Sequence, residues 1–204
     1  MTRIVADIST SLDGFVTGPD VGPENGLGTG GEALHTWAFS DDPDDQRLLR
    51  EATARSGAVV MGRHLFDVVD RPGGWSDEVG YGAREAARPP FVVVTSTAPA
   101  AVRLGALDWT FVTTGIADAV GVARERAEAA SAERGEVLDV VLMGGGATAG
   151  SALAAGLVDV LSLHLAPVVL GAGTPLYRPG TRLTLVQRSG VVTTTATHLT
   201  YDVA

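Results

Sequence analysis

A run of three glycines, residues 144–146, stands between an apolar stretch and a stretch of small residues that ends near Ala155. Residues 139–143, of which the last four are apolar, predict a buried strand, and the small residues predict a helix. Glycines allow a ligand to approach the backbone closely, and a helix N-terminus offers free N–H groups. The pattern predicts a pyrophosphate cradle, although a plain strand-to-helix turn would use the same residues. The flanks expected of a G-x-G-x-x-G fingerprint are not met.

Two further segments place phosphate-binding groups after predicted strands. Gly62 and Arg63 follow the apolar residues 58–61. Thr95 ends the predicted strand of residues 90–95, and Ser96 follows it. A guanidinium at the end of a strand can bind a phosphate, and ligands of open α/β sheets bind at the carboxyl ends of the strands. Alone, Arg63 would be read as a surface salt bridge and the hydroxyls as a turn. Together with the glycines, they predict one anion site.

Other candidate residues have two interpretations each. Asp13 either forms a turn with Gly14 or presents a carboxylate to a substrate, and Trp75 either stacks on a planar ligand or covers the core. The four histidines show no metal-ligand spacing, so no metal site is expected. No G-x-S-x-G motif is present, which disfavours a serine hydrolase of that type.

Composition narrows the classes of function. The net charge of −9 disfavours nucleic-acid and membrane partners. The absence of cysteine excludes thiolate chemistry and disulfides, and the absence of lysine excludes Schiff bases. Residues 140–177 carry one formal charge but are too broken by glycine and Pro167 to form a spanning helix. The N-terminus has no signal-peptide pattern, so a cytoplasmic enzyme is expected.

Strands and helices alternate along most of the chain. We expect helices from Asp42 to about Ser56, stopped by Gly57, and from Asp118 to near Gly135. Besides those named above, strands are expected at residues 3–9, 109–113 and 158–166, and a terminal hairpin with its turn at Ser189-Gly190. This order predicts one α/β domain, residues 1–204, with a mostly parallel sheet covered on both faces and an antiparallel edge.

Several segments in order resemble the dihydrofolate-reductase-like family, in particular the reductase domain of bacterial riboflavin biosynthesis, the RibD C-terminal domain. They are residues 11–15 (SLDGF), 59–63 (VVMGR), 92–96 (VVVTS), 142–146 (LMGGG), 156–159 (GLVD) and 167–173 (PVVLGAG). The resemblance implies a three-layer αβα fold around a mixed sheet of about eight strands, with NADPH across the carboxyl ends, no metal, and a homodimer.

The resemblance also assigns roles to residues. It implies that Gly62 and Arg63 contact the adenosine-side phosphates, and that Thr95 and Ser96 hold the 2′-phosphate region. The remaining cofactor residues that it implies are Gly144, Gly145, Gly146 and Thr148 around the pyrophosphate and Ala6 beside the nicotinamide.

The chain also departs from dihydrofolate reductases. Leu65 stands where those enzymes place a threonine after the arginine, and Val160 follows Asp159 where relatives commonly have glutamate. Asp45 lies near the position of their acidic proton relay, but we interpret it as a first-turn residue that serves the helix dipole.

The leading hypothesis is an NADPH-dependent reductase of a small planar heterocycle, a pterin or a pyrimidine. Asp13 is its candidate catalytic residue, and the candidate substrate residues are Phe15, Trp37, Phe39 and Trp75. One alternative is a nucleotide-binding protein without catalysis. Another is the 5-amino-6-(5-phosphoribosylamino)uracil reductase, for which only Arg71 or Arg178 could supply a phosphate clamp.

Overall fold

The computed structural model describes residues 1–76, 80–81 and 88–204. In these residues one sheet contains eight strands in the order β4-β3-β2-β5-β1-β6-β8-β7. Their bounds are β1 Ile4–Thr10, β2 Ser56–Gly62, β3 Phe91–Val94, β4 Trp109–Val112, β5 Asp139–Gly144, β6 Val160–Leu165, β7 Leu185–Val192 and β8 Thr197–Val203. The first six strands are parallel, and β8 pairs antiparallel with both β6 and β7, which confirms the predicted mixed αβα fold.

The helices cover both faces of this sheet. They are a 3-10 helix Gly31–Phe39, α1 Pro43–Ala54, α2 Arg63–Asp70, α3 Ile116–Arg134 and α4 Gly146–Ala154. One apolar cluster packs β1 and β5 against α3 and α4, and a second packs β2 and β3 against α2. Within the described residues, no helix combines the length and the apolar character that crossing a bilayer requires.

Helix α1 begins as its sequence predicts, because the Asp42 side chain accepts a hydrogen bond from the Asp44 N–H and Pro43 occupies the first turn. Its end was predicted wrongly. The helix stops at Ala54, and Gly57 lies inside β2, where a Cβ atom would be 2.9 Å from Ala127 on α3. Gly57 therefore serves the close packing of α3 on the sheet rather than a helix stop.

The terminal hairpin also differs from its prediction. Ser189 and Gly190 lie within β7, next to a register shift, and the turn falls at residues 193–196. The Thr193 hydroxyl accepts hydrogen bonds from the N–H groups of Thr195 and Ala196. A hydroxyl-stabilised turn thus replaces the expected glycine turn. Helix α2 had no counterpart in the sequence prediction.

Candidate functional site

The three predicted anion-binding segments meet at one edge of the sheet. Gly62 pairs with Val94 at the end of β3, and Met61 pairs with Gly144 at the end of β5. Strands β3, β2 and β5 are neighbours, and parallel strands present their carboxyl ends on the same side. The segments that follow them form a continuous rim, which we call the glycine rim: residues 62–63, 95–96 and 144–148.

The glycines at the junction of β5 and α4 have conformations and neighbours that other residues would disturb. Gly144 and Gly145 have φ of +128° and +51°, and Gly145 precedes α4 without a side-chain cap. A Cβ atom on Gly146 would lie 2.3 Å from Val16. Gly146 therefore serves its packing against Val16, whereas the partly exposed Gly145 adds no side chain in front of the N-terminal N–H groups of the nine-residue helix α4, an arrangement that suits a phosphate.

Gly62 and Thr148 join two sides of the rim. A Cβ atom on Gly62 would lie 2.4 Å from the Thr148 hydroxyl oxygen, so only glycine leaves room for this buried side chain. The backbone of β2 and the first turn of α4 are consequently in contact.

The third side of the rim contains the charge. Arg63 begins α2, and its guanidinium donates to Asp67 Oδ1 at 2.7 Å and to the Thr97 carbonyl at 2.8 Å. Its side chain stays 39% exposed. The Thr95 hydroxyl donates to the Thr97 carbonyl at 2.8 Å, whereas Ser96 is exposed. Thr95 and Arg63 therefore hold the loop after β3, and Ser96 presents a hydroxyl to solvent.

Next to the rim, β1 and β5 separate. Their pairing ends at Ala6 and Leu142, while β1 continues to pair with β6 as far as Thr10. Ala6, the last residue of β1 in this pairing, is fully buried in the core. Asp7 is the first residue beyond the separation, and its side chain is 20% exposed. The sequence analysis did not identify Asp7.

Asp13 connects two loops. Its carboxylate accepts N–H hydrogen bonds from Leu170 at 3.1 Å and Gly171 at 2.7 Å. The hydrogen bond from Ser11, followed by those from the two backbone N–H groups, lowers the pKa of Asp13. Both oxygens thus hold residues 170–171, which favours the turn-forming interpretation over the catalytic one.

The aromatic residues do not form one lid. Trp37 is buried, stacks on His164 of β6 at 4.0 Å and donates to Ser9 Oγ, whereas Trp75 packs on Phe91 of β3. Four strand spacings separate β6 from β3, about 19 Å, so the two indoles cannot cover one ring. Phe39 is 83% exposed, and Phe15 bridges to Pro175.

Asp45 has surroundings that the sequence analysis did not foresee. It is fully buried in the first turn of α1, where its carboxylate accepts hydrogen bonds from Ser40, Thr195 and His198. Burial alone would raise the pKa of Asp45, but these hydrogen bonds outweigh it and lower the pKa. Its interpretation as a dipole residue was incomplete, because the carboxylate is the anchor of a buried polar cluster.

Comparison with known proteins identifies the family. The model of the RibD C-terminal domain matches residues 2–199. The chain belongs to the RibD C-terminal domain family. A search of curated protein sequences finds no significant match.

Solved structures confirm the fold of this RibD C-terminal domain. A protein from Shewanella sp. PV-4, provisionally assigned to riboflavin biosynthesis, has a TM-score of 0.68 at 22% identity, over 100% of this chain and 99% of that one. The riboflavin biosynthesis reductase Rib7 of Saccharomyces cerevisiae has a TM-score of 0.56 at 15% identity, over 100% and 90%. Dihydrofolate reductase from Enterococcus faecalis, in complex with NADP(H), has 0.55 at 14%, over 98% and 96%.

Membership of the RibD C-terminal domain family makes this chain a reductase-type enzyme, and the structural relatives whose names state an activity are reductases. The two arginines that could form a phosphate clamp each donate to a different part of the chain. Arg71 donates to the Pro23 carbonyl, and Arg178 donates to Ser151 Oγ at 2.7 Å. Among the described residues, no group of three or more metal-ligating side chains is arranged to hold an ion.

Proposed function

We propose that the protein is an NADPH-dependent reductase that transfers a hydride to a small planar heterocycle of the pterin or pyrimidine type. The observation that carries this proposal is the glycine rim, because it places bare backbone, a helix N-terminus and a guanidinium beside the gap between β1 and β5. A dinucleotide needs these groups in this order, with its phosphates on the rim and its reactive ring beyond them.

The described residues fit the cofactor. Gly144, Gly145 and Gly146 would hold the pyrophosphate together with Thr148, since the partly exposed Gly145 directly precedes the N-terminus of α4 and has no side chain to block it. Gly62 and Arg63 would contact the adenosine-side phosphates, and Thr95 and Ser96 would form the 2′-phosphate region. The nicotinamide would meet the backbone of Ala6 at the gap.

When bound, NADPH supplies the hydride, and this chain supplies position and exclusion of water. The gap between β1 and β5 would orient the substrate beside the nicotinamide. Phe15 and Trp37 lie on the β1 side of the sheet, and Asp7 faces the same region. Trp75 and Phe39, which lie away from the gap or in solvent, take part only as borders of a larger substrate.

A second candidate reaction is the reduction of 5-amino-6-(5-phosphoribosylamino)uracil. It is favoured by the family match over residues 2–199 and by the riboflavin reductase among the structural relatives. The engagement of Arg71 by Pro23 and of Arg178 by Ser151 counts against it, since both arginines would have to turn toward a substrate phosphate.

The test is a panel of reducible pterins and pyrimidines, including this phosphoribosyl uracil, screened with NADPH and with NADH. We expect substrate-dependent loss of the NADPH absorbance with at least one heterocycle. Tryptophan fluorescence measures cofactor binding in the same samples. NADPH binding without turnover across the panel would instead indicate a nucleotide-binding protein without catalysis.

We also propose a cytoplasmic homodimer. Strand β7 forms an edge of the sheet and carries the exposed side chains Val186 and Val192, at 55% and 78% exposure. An exposed edge strand with apolar side chains is a surface suited to association with a second copy. NADPH-dependent reduction suits the cytoplasm.

A further inference from the structure

Four titratable side chains form a hydrogen-bonded row that starts at the gap between β1 and β5. Asp7 Oδ1 lies 2.7 Å from His164 Nε2, the Nδ1 atoms of His164 and His198 lie 2.7 Å apart, and His198 Nε2 lies 2.7 Å from Asp45 Oδ1. The side-chain exposures along the row are 20%, 6%, 5% and 0%. The row therefore runs from the partly exposed Asp7 to the buried Asp45.

The number of hydrogen bonds fixes the number of protons in the row. Each of the three contacts needs one proton between its heavy atoms, and ionised carboxylates can only accept. Two neutral imidazoles carry only two ring protons, so the third is an excess proton, held on an imidazole or a carboxyl group. Its loss would leave two Nδ1 lone pairs facing each other at 2.7 Å. The geometry thus retains the excess proton.

The groups around the row favour the Asp7 end as the position of the excess proton. The indole of Trp37 stacks on His164 at 4.0 Å, and an aromatic face attracts a cation. Burial lowers the pKa of His198 against the effect of Asp45. Burial therefore disfavours the excess proton on His198, the histidine at the Asp45 end of the row.

Two further titratable groups face the row from neighbouring elements. Burial and the nearby His164 lower the pKa of His35 in the 3-10 helix, and burial and the Asp7 charge raise the pKa of Tyr81. Both groups are consequently uncharged at neutral pH. They do not compete for the excess proton.

We propose that Asp7, His164, His198 and Asp45 form a proton relay that protonates the substrate through Asp7. The proposal rests on the proposed reductase function. Asp7 is the catalytic residue of the relay, and the other three are positioning residues that supply it with a proton. Transfer of one shared proton from His164 Nε2 to Asp7 Oδ1, which lie 2.7 Å apart, brings the excess proton to Asp7 without moving a heavy atom.

The step balances for the reduction of a C=N bond. The hydride adds two electrons and one hydrogen to the carbon, the C=N π bond opens onto nitrogen, and the nitrogen takes the proton as the Asp7 O–H bond breaks. Asp7 is left as a carboxylate, and the row is left with two protons for its three contacts. Solvent water returns one proton through Asp7 after the product leaves, since Asp7 is the most exposed member of the row.

The relay is tested with Asp7→Asn and His198→Gln, and with His35→Gln as a control that removes a neighbouring histidine outside the row. We expect Asp7→Asn to lower turnover about 100-fold, the low end of the usual contribution of a general acid. Wild-type turnover should fall as the pH rises and the excess proton is lost, and this limb should disappear in Asp7→Asn. His198→Gln should move the limb, whereas His35→Gln should leave it in place. Turnover and pH profile of His198→Gln equal to those of the control would overturn the relay.

A second measurement needs no substrate. Nitrogen-15 NMR of histidine-labelled protein should show a scalar coupling between the two Nδ1 atoms across a shared proton, and its absence at neutral pH would overturn the proposal. The NADPH affinity of the same variants, read from tryptophan fluorescence, separates the two proposals. A wild-type protein that does not bind NADPH would contradict the reductase function. The NMR result tests the proton row independently of that function.

Discussion

At the scale of single residues, Thr95 and Ser96 show that neighbours in one motif have different surroundings. The Thr95 hydroxyl donates a hydrogen bond to the Thr97 carbonyl, whereas the Ser96 side chain is exposed. Ser96 is thus the residue of this pair at which a charge can be added without breaking an internal contact.

Ser96→Glu should weaken NADPH binding tenfold or more and leave NADH binding nearly unchanged. A carboxylate beside the 2′-phosphate repels it, and a repulsion of about 1.4 kcal/mol is enough for a tenfold change. Calorimetric titration with both cofactors measures the effect. Ala129→Glu, which adds the same charge on the exposed face of α3, is the control. Equal losses in the two variants would show that Ser96 does not border the cofactor.

The sequence indicated the rim residues but not the state of each side chain. The phosphate-binding interpretation of residues 62–63 and 144–148 needed only glycine, charge and strand order, which are local properties. Asp7 and His164 could not be found in this way, because they are 157 residues apart and meet only when β1 pairs with β6. A histidine of unassigned role in each of two adjacent strands was the one available signal.

At the scale of elements, an ion pair joins the residue before β1 to the first residue of β5. Asp139 Oδ2 accepts from Arg3 Nη2 at 2.7 Å and from Arg55 Nη2 at 3.2 Å, and the carboxylate is 4% exposed. Burial alone would raise the pKa of Asp139, but the two arginines outweigh it and lower the pKa. This ion pair ties the chain before β2 to the start of the two central strands.

Asp139→Asn should lower the free energy of unfolding by about 2 kcal/mol at neutral pH, the value typical of a hydrogen bond to a charged group. Since the folded-state pKa is lowered, the contribution is present above the unfolded pKa and is lost as the pH falls through the folded pKa. Urea unfolding at several pH values measures this, with the exposed Asp44→Asn as the control. A variant with the same acid sensitivity as the wild type would contradict the assignment.

Element types were easier to predict from the sequence than element ends. Apolar runs located the strands, and Asp42-Pro43 located the start of α1, because these patterns act through adjacent residues. The end of α1 and the place of the hairpin turn depend on contacts with distant elements, namely the packing of Gly57 on α3 and the register of β7 against β8. Such contacts leave no local pattern.

At the scale of the whole molecule, the function depends on how the sheet is ordered. Strand β5 lies between β2 and β1, so the glycine rim and the gap beside Asp7 are neighbours although their residues are scattered along the chain. The alternating elements predicted the α/β class and the resemblance predicted the family, and both are confirmed. The closeness of the relay to the rim follows from the strand order alone.

The central claim is that the ends of three neighbouring strands form one binding site for a phosphorylated dinucleotide. Calorimetric titration of the wild type and of Arg63→Gln with NADPH tests it most directly. We expect heat of binding at one NADPH per chain in the wild type and an affinity at least about tenfold lower in Arg63→Gln, since a hydrogen bond to a charged group contributes about 1.5 to 3 kcal/mol. The absence of heat in the wild type, or equal affinities in the two proteins, would contradict the account.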